Sequence, residues 1–270
     1  MATKTGNFDK PLILAIETSG RLGSVALAQG DKLLSESHFS GPMRHSAEIF
    51  PAVTDLLSRF SKKPDQIEQI YISVGPGSFT GLRIAVTFAK TMALANNSKI
   101  VAVDTLDCIA ANVIDFAPPS PLPQLNTQHG AKRRARFGNS TLKTDDRLAV
   151  ILDAKRGQFF IAVYEITNDE IRTTHDAIWK KTLPDCLMTA EEFLARFSDK
   201  PTALIGEGLV FYKDKFAHKN IRVLDEKFWN PSAANIHLLG RQLALQNQFS
   251  DPLTLTPNYI RGPDVTVKQI

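Results

Sequence analysis

The chain has 270 residues, 43% hydrophobic and 22% charged, with a formal net charge of +4. These values exclude a disordered or fibrous chain, no apolar run reaches the length of a membrane span, and the length suits one large domain or two lobes, of which two is the expectation. Only two cysteines occur, Cys108 and Cys186, which excludes a disulfide framework. The amino-terminal MATKTGNFDK also lacks an apolar signal core, so cytoplasmic residence is expected. Residues 12–16 form a continuous apolar run, followed by the polar turn Glu17-Thr18-Ser19-Gly20 and an alternating stretch over 23–28. With a third strand over 32–37, these read as an antiparallel meander. Residues 44–60 have helical spacing, with Ile49, Val53, Leu56, Leu57 and Phe60 on one face, and Pro51 makes the helix begin close to it or bend there. A strand over 70–74, a helix over 80–95, a strand over 99–103 and a short helix from 106 to about 116 complete the order βββαβαβα.

The most informative segment is Ser73-Val74-Gly75-Pro76-Gly77-Ser78-Phe79-Thr80-Gly81-Leu82-Arg83, where a strand breaks at a Gly-Pro-Gly turn and restarts as a helix. Glycine supplies backbone conformations that other residues avoid, and Ser78 or Thr80 can accept a hydrogen bond from the free N–H groups of the helix start. Such a start is electropositive and suits an anion, but a tight connection without a ligand needs the same residues. The spacing G-x-G-x-x-x-G misses the dinucleotide fingerprint, and no Gly-Lys-Ser/Thr follows to make a P-loop.

The helix over 80–95 has an apolar arc of about 200°, too wide for one partner. Leu82, Ala85, Val86, Ala89, Met92 and Ala93 form its centre, extended by Ile84, Phe88 and Ala95. The sheet covers one side; the other meets another helix of the fold or a separate subunit, and Ala85, Ala89 and Ala93 permit a close approach. Residues 117–146 open with Pro118, Pro119, Pro121 and Pro123 and show neither apolar period, so much of this segment is expected to be disordered. Its basic cluster, Lys132, Arg133, Arg134, Arg136, Lys143 and Arg147 against Asp145 and Asp146, reads as solvated surface, with RNA contact as the sharper alternative.

Beyond it, strands over 148–152 and 158–166 flank the turn Asp153-Ala154-Lys155-Arg156-Gly157. A helix near 190–197, a strand over 203–205, the turn Gly206-Glu207-Gly208 and a helix near 232–246 follow. Each half opens with a strand pair around an acidic, glycine-containing turn, so the chain reads as internally duplicated.

The segments LILAIETSGRLGSVAL, RHSAEIFP, SVGPGSFTGLRIAVTFAK, VAVDTLDCIA, ILDAKRGQFFIAVYE, GEG and NYIRGPD together resemble the TsaB (YeaZ) family of bacterial tRNA threonylcarbamoyladenosine biosynthesis proteins. The resemblance covers most of the chain apart from 117–146, which is longer than the family leads one to expect, and the extreme amino terminus. It implies an α/β, two-lobed actin/sugar-kinase/Hsp70-like (ASKHA, RNase H-like) fold, each lobe a mixed five-stranded sheet with flanking helices. The lobes are expected at 1–105 and 106–270, with the last helix packing back on the first. The resemblance also implies a non-catalytic partner of the related catalytic subunit TsaD, in a complex with the ATPase TsaE. That complex transfers a threonylcarbamoyl group from threonylcarbamoyl-adenylate to N6 of the adenosine at position 37 of tRNA. A homodimer in the absence of TsaD, tRNA met through the complex, and no membrane association belong to the same implication.

The residues agree on physical grounds. The catalytic relative holds a metal with two histidines one turn apart on a helix, whereas none of the six histidines here, His38, His45, His129, His175, His218 and His237, lies three or four residues from another. No metal site and no catalytic residue is expected, and His45 reads as a helix cap or surface residue. Glu17 and Asp153 occupy the turns that bind metal and phosphate in active relatives, but neither has the D-x-G pattern that closes backbone N–H groups on phosphate, so both read as remnants or structural hairpins. A weak nucleotide or anion contact at Glu17, Thr18, Ser19, Gly75, Gly77, Ser78, Thr80 and Arg83 stays open. No cofactor of its own is expected, with ATP or ADP assigned to a subunit interface. The expected docking contacts are Ile49, Val53, Leu56, Leu82, Val86 and Ala89. The rival reading is a free-standing ATPase or small-molecule kinase of the same fold.

Overall fold

The computed structural model describes residues 10–114, 142, 146–167 and 178–261. The readings made for the segment 117–146 lie outside the described residues, apart from Leu142 and Asp146. Arg147, counted above with the basic surface cluster, is instead buried at the start of a strand, its Nε 2.6 Å from Glu165 and its guanidinium 2.9 Å from Asp199.

Two five-stranded sheets organise the chain. The first contains β1 (Leu12–Glu17), β2 (Ser24–Gln29), β3 (Lys32–His38), β4 (Gln69–Ser73) and β5 (Lys99–Val103), in the order β3-β2-β1-β4-β5. The meander pairs antiparallel, with Ile13 opposite Ala28, whereas β4 and β5 are parallel to β1. The second sheet contains β6 (Arg147–Asp153), β7 (Gln158–Thr167), β8 (Ile178–Thr189), β9 (Thr202–Ile205) and β10 (Ile221–Val223), in the order β10-β9-β6-β7-β8. Renumbered within each lobe, both sheets read 3-2-1-4-5. The chain therefore has the two-lobed ASKHA-type architecture, and the duplication expected from the two acidic turns extends to the whole topology.

Alternation along β1 explains how both faces of the first sheet are covered. Leu12, Leu14 and Ile16 join Val25, Leu27, Ile70 and Ile72 in one core, which α1 (His45–Arg59) and α2 (Phe79–Asn96) close with Ile49, Val53, Leu56, Val86 and Ala89. Ile13 and Ala15 point the other way and form a second core with Ala26, Ala28, Tyr71, Val101 and Ile236. There α6 (Ala233–Leu245), the last helix, packs on the first sheet. Small residues at 15, 26 and 28 let it approach, and a Cβ on Gly240 would stand 2.6 Å from the Tyr71 ring. Pro51 lies inside α1, exposed, after a start six residues earlier at His45.

The helix expected over 106–116 is shorter: α3 (Thr105–Ala110) is capped by Asp104, whose carboxylate accepts from the N–H groups of Leu106 and Asp107. After Ala110 the bonds tighten, Asn112 N–H to Ile109 and Val113 N–H to Ala110, and the helix ends. In the second lobe, α4 (Ala190–Phe197) carries a reciprocal Thr189–Glu192 cap, and α5 (Leu209–Tyr212) is a single turn. The sequence reading did not contain β8, β10 or α5. β8 carries Lys181, Pro184 and Asp185, which hide its period; it is an edge strand, and residues 184 and 185 together stand opposite Ala162 in a bulge. Among the described residues no helix is long and apolar enough to cross a membrane.

Candidate functional site

The carboxyl ends of β1 and β4 bring the turn 17–20 against the loop 75–81. Glu17 is fully buried, and its Oε1 accepts from both the backbone N–H and the hydroxyl of Ser19 at 2.5 Å. Burial raises its pKa above the ordinary carboxylate value, opposed by those Ser19 bonds. Thr18 Oγ1 donates to the Gly81 carbonyl at 2.7 Å, and the Ser78 N–H donates to the Ser19 carbonyl at 2.7 Å. Ser78 caps α2, its hydroxyl accepting from the Gly81 N–H at 3.3 Å.

The glycines stand where two backbones touch. A Cβ at Gly81 would lie 1.8 Å from the Thr18 carbonyl oxygen, and one at Gly77 would lie 2.6 Å from that of Ser19. Gly75, at φ +116°, would meet the carbonyl of Asn258 at 2.8 Å. Thr80 and Arg83 remain exposed, Gly77 and Ser78 are half-buried, and Glu17, Thr18, Ser19 and Gly75 are buried.

The second lobe repeats the device. Asp153 Oδ1 accepts from the Lys155 N–H at 2.7 Å and its Oδ2 pairs with Lys155 Nζ at 2.7 Å, closing the turn on itself. Gly206, at φ +117°, would place a Cβ 2.3 Å from the Ile151 carbonyl oxygen, which also accepts the Gly208 N–H at 3.1 Å. Glu207 between them is raised in pKa by burial, while the Arg21 backbone and the charges of Arg21 and Lys155 hold it down. Arg21 follows the first-lobe turn, so this contact joins the lobes; its guanidinium also lies 5.9 Å from the Phe211 ring.

A second tie comes from the tail, which the residue reading had not assigned a role. The Asn258 N–H donates to the Val74 carbonyl at 2.7 Å, and Tyr259 Oη accepts from Arg83 Nε at 3.1 Å while its ring packs 5.1 Å from Phe79. Two residues on, Arg261 donates to the Ala154 carbonyl and to Gln158 Oε1. The tail thus links the glycine loop of one lobe to the acidic turn of the other. Its signal in the sequence is an aromatic–basic pair, Tyr259 and Arg261, inside a stretch with no secondary-structure period.

Two readings change. His45 is neither cap nor surface: it is buried, its Nε2 donates to the Gly20 carbonyl at 3.0 Å, and burial lowers its pKa. Gly23 makes room for it, since a Cβ there would meet the Phe39 and His45 rings at 2.5 and 2.6 Å. Cys108 is buried, which pushes its thiol pKa well up and away from nucleophilic use. Among the described residues no three His, Cys, Asp or Glu side chains are grouped to hold a metal.

The second change concerns docking. Ile49, Val53, Leu56, Leu82, Val86 and Ala89 are all buried within the chain, none more than 6% exposed. Helical periodicity groups them, but the grouped face is the one the first sheet claims. What α1 and α2 show to solvent is different: Phe50 is 65% exposed with its ring 5.3 Å from Phe88, Leu94 is 69% exposed, and Ile84 and Met92 are half-buried.

The family model described as "TsaD: tRNA N6-adenosine threonylcarbamoyltransferase" matches residues 41–194, more than half of the chain. The tRNA threonylcarbamoyladenosine biosynthesis protein TsaB of Bacillus subtilis (strain 168) is 27% identical over 267 residues, covering 96% of this chain and 97% of that protein. TsaB of Haemophilus influenzae is 20% identical with 96% of each chain covered. TsaB of Escherichia coli (strain K12) is 35% identical over 99 residues, 36% of this chain and 42% of its own. Among solved structures, YeaZ from Pseudomonas aeruginosa superposes with a TM-score of 0.67 at 20% identity, over 92% of this chain and 99% of that one, which supports the fold. With near-full-length similarity to TsaB proteins, two 3-2-1-4-5 lobes and a matching transferase model, the chain belongs to the TsaB (YeaZ) family of tRNA threonylcarbamoyladenosine biosynthesis proteins, within the wider family that the TsaD model describes.

Proposed function

We propose that this chain is the accessory subunit, without chemistry of its own, of the complex that makes N6-threonylcarbamoyladenosine at position 37 of tRNA. In this reading it docks on the catalytic subunit TsaD, works beside the ATPase TsaE, and pairs with a second copy when TsaD is absent. The observation that carries the reading is that the glycine turns of both lobes close on the protein's own backbone. A phosphate-binding loop needs N–H groups free to face the ligand, but those of Ser19, Ser78, Gly81 and Gly208 already have acceptors inside the chain. Nucleotide, on this reading, belongs to the assembled complex, where the exposed Thr80 and Arg83 stand at the start of α2.

The docking surface is the outer face of α1 and α2, with Phe50 at its centre and Ile84, Met92 and Leu94 along α2. Full burial of one large apolar side chain contributes about 1.5–3 kcal/mol before the costs of association are subtracted. Phe50→Glu therefore removes a contact from the surface without entering the core. Titration of TsaD with wild-type and Phe50→Glu chains tests this: at least a tenfold loss of affinity is expected, with an unchanged thermal melt. Undiminished binding would dismiss this face. Calorimetry with ATP separates the rival reading, since tight binding with turnover by the isolated chain would make it an ATPase or kinase.

A further inference from the structure

A cleft of about 510 Å3 lies at the edge of the first lobe. It opens between Lys10, two residues before β1, the β2–β3 hairpin and the segment that follows α1. Its charged lining is Lys10, Lys32 and Lys62 with one carboxylate, Asp31; Leu34 and Phe60 supply apolar surface. The three lysines come from three separate segments, so the fold and not a sequence run brings them together. Asp31 accepts from Arg241 Nε at 2.8 Å, so its charge is already answered from α6. Among the described residues none of the three ammonium groups is in an ion pair. Leu34 and Phe60 are half-buried and rest on the first-lobe core, which fixes the apolar floor.

Positive charge without carboxylate partners, set around a floor that includes an aromatic ring, suits a nucleotide unit of an RNA strand: phosphate to the ammonium groups, base and sugar to the apolar surface. We propose that this cleft is an RNA contact that holds one backbone phosphate and its neighbouring base from the tRNA substrate. The proposal rests on the function above, to which it adds a surface by which the accessory subunit itself grips tRNA. Ammonium groups act here as point charges, so the contact supplies affinity and register and not sequence choice.

The test is fluorescence anisotropy of a labelled tRNA with the full chain, alone and with TsaD, across about 50 to 200 mM salt. A triple variant, Lys10→Gln with Lys32→Gln and Lys62→Gln, is compared with a control of equal charge loss on the second lobe, Lys213→Gln with Lys215→Gln and Lys219→Gln. Loss of the contact to one phosphate lowers the slope of log affinity against log salt by about 0.7–0.9. The cleft variant should show that change and at least a tenfold weaker affinity at low salt, with the control close to wild type and the urea midpoints of all three alike. An unchanged slope, an equal fall in the control, or no salt-dependent tRNA binding in either setting would overturn the proposal. So would a cleft that binds AMP at micromolar concentration while the tRNA slope stays unaltered, which would make free nucleotide its ligand. Because the slope is read on the chain alone as well as with TsaD, a failure of TsaD docking leaves it measurable.

Discussion

Replacing Gly81 by alanine would place a methyl carbon 1.8 Å from the Thr18 carbonyl oxygen, where ordinary contact begins near 3.4 Å. The missing distance, roughly 1.6 Å, has to come from backbone on both sides, because neither partner is a flexible side chain. Thr18 is buried in the turn that ends β1, and Gly81 sits in the first turn of α2; the bond from Thr18 Oγ1 to the Gly81 carbonyl clamps them together. Overpacking of this kind costs about 1–3 kcal/mol, and a stretched buried hydrogen bond adds about 1 kcal/mol. A loss on the order of 3 kcal/mol is expected, a large part of a typical domain stability of about 5–15 kcal/mol. Urea unfolding reads it as a fall of at least about 1 M in midpoint, using the usual slopes of small proteins. Gly157→Ala is the control: at φ +74° with nothing within 4 Å, it introduces backbone strain alone, worth about 1 kcal/mol. If Gly81→Ala unfolds at the wild-type midpoint yet loses an anion or nucleotide, the glycine serves a ligand and the argument from internal closure fails.

Val86→Glu buries a carboxylate among Ile16, Ile72 and Ala89 in the first core, and an unpaired buried charge costs about 3–5 kcal/mol. Thermal melts should show a large fall in stability, in contrast to Phe50→Glu; a stable Val86→Glu chain would return that face to the surface. The pH prediction concerns Asp104, Asp107 and Asp185, which surround Lys181 Nζ at 3.2, 2.9 and 2.5 Å, with Tyr164 donating to Asp107 at 2.6 Å. Burial pushes the Asp104 pKa up to about 7, helped by its hydrogen bond with Asp185 and opposed by Lys181. A folded pKa above the unfolded one means that the folded chain holds the proton more tightly, so this contribution is complete below about pH 4 and lost as pH rises through about 7. Asp104→Asn keeps the α3 cap and stays neutral, so its stability relative to wild type should improve from pH 5 to pH 8. A difference that does not vary with pH would remove Asp104 as the titrating group.

Legibility in the sequence followed the number of faces each element buries. β1, β4 and β9 are covered on both sides and read directly as apolar runs, and the Asp153 turn announced the second lobe because it repeats the first in acid and glycine. β8 escaped because an edge strand answers to one neighbour only, and its two bulges against β7 break the alternation that identifies a strand. The α1–α2 pair was legible as two helices but not in orientation. An arc of about 200° on α2 contains both the sheet-facing side and part of the exposed one, and no count of apolar residues divides it. β1 decides the matter: by presenting Leu12, Leu14 and Ile16 to one face, it claims Val53, Leu56, Val86 and Ala89, leaving Phe50 and Leu94 outside.

The glycine loop poses the deeper ambiguity, because a missing Cβ looks the same in sequence whether the space admits a phosphate or another stretch of backbone. Both uses demand glycine at a helix start after a strand, and both favour a hydroxyl residue beside it. They differ only in what arrives from elsewhere in the chain. Here the arrivals are Thr18 and Ser19 at Gly81 and Gly77, Asn258 at Gly75, and Ile151 at Gly206, all of them carbonyl groups. A carbonyl oxygen is an acceptor, as a phosphate oxygen is, and it satisfies the same donors: the Ser78 N–H has the Ser19 carbonyl where an anion would otherwise lie. The turns of both lobes thus have acceptors supplied from within the chain, and these backbone contacts hold the turns of each lobe together.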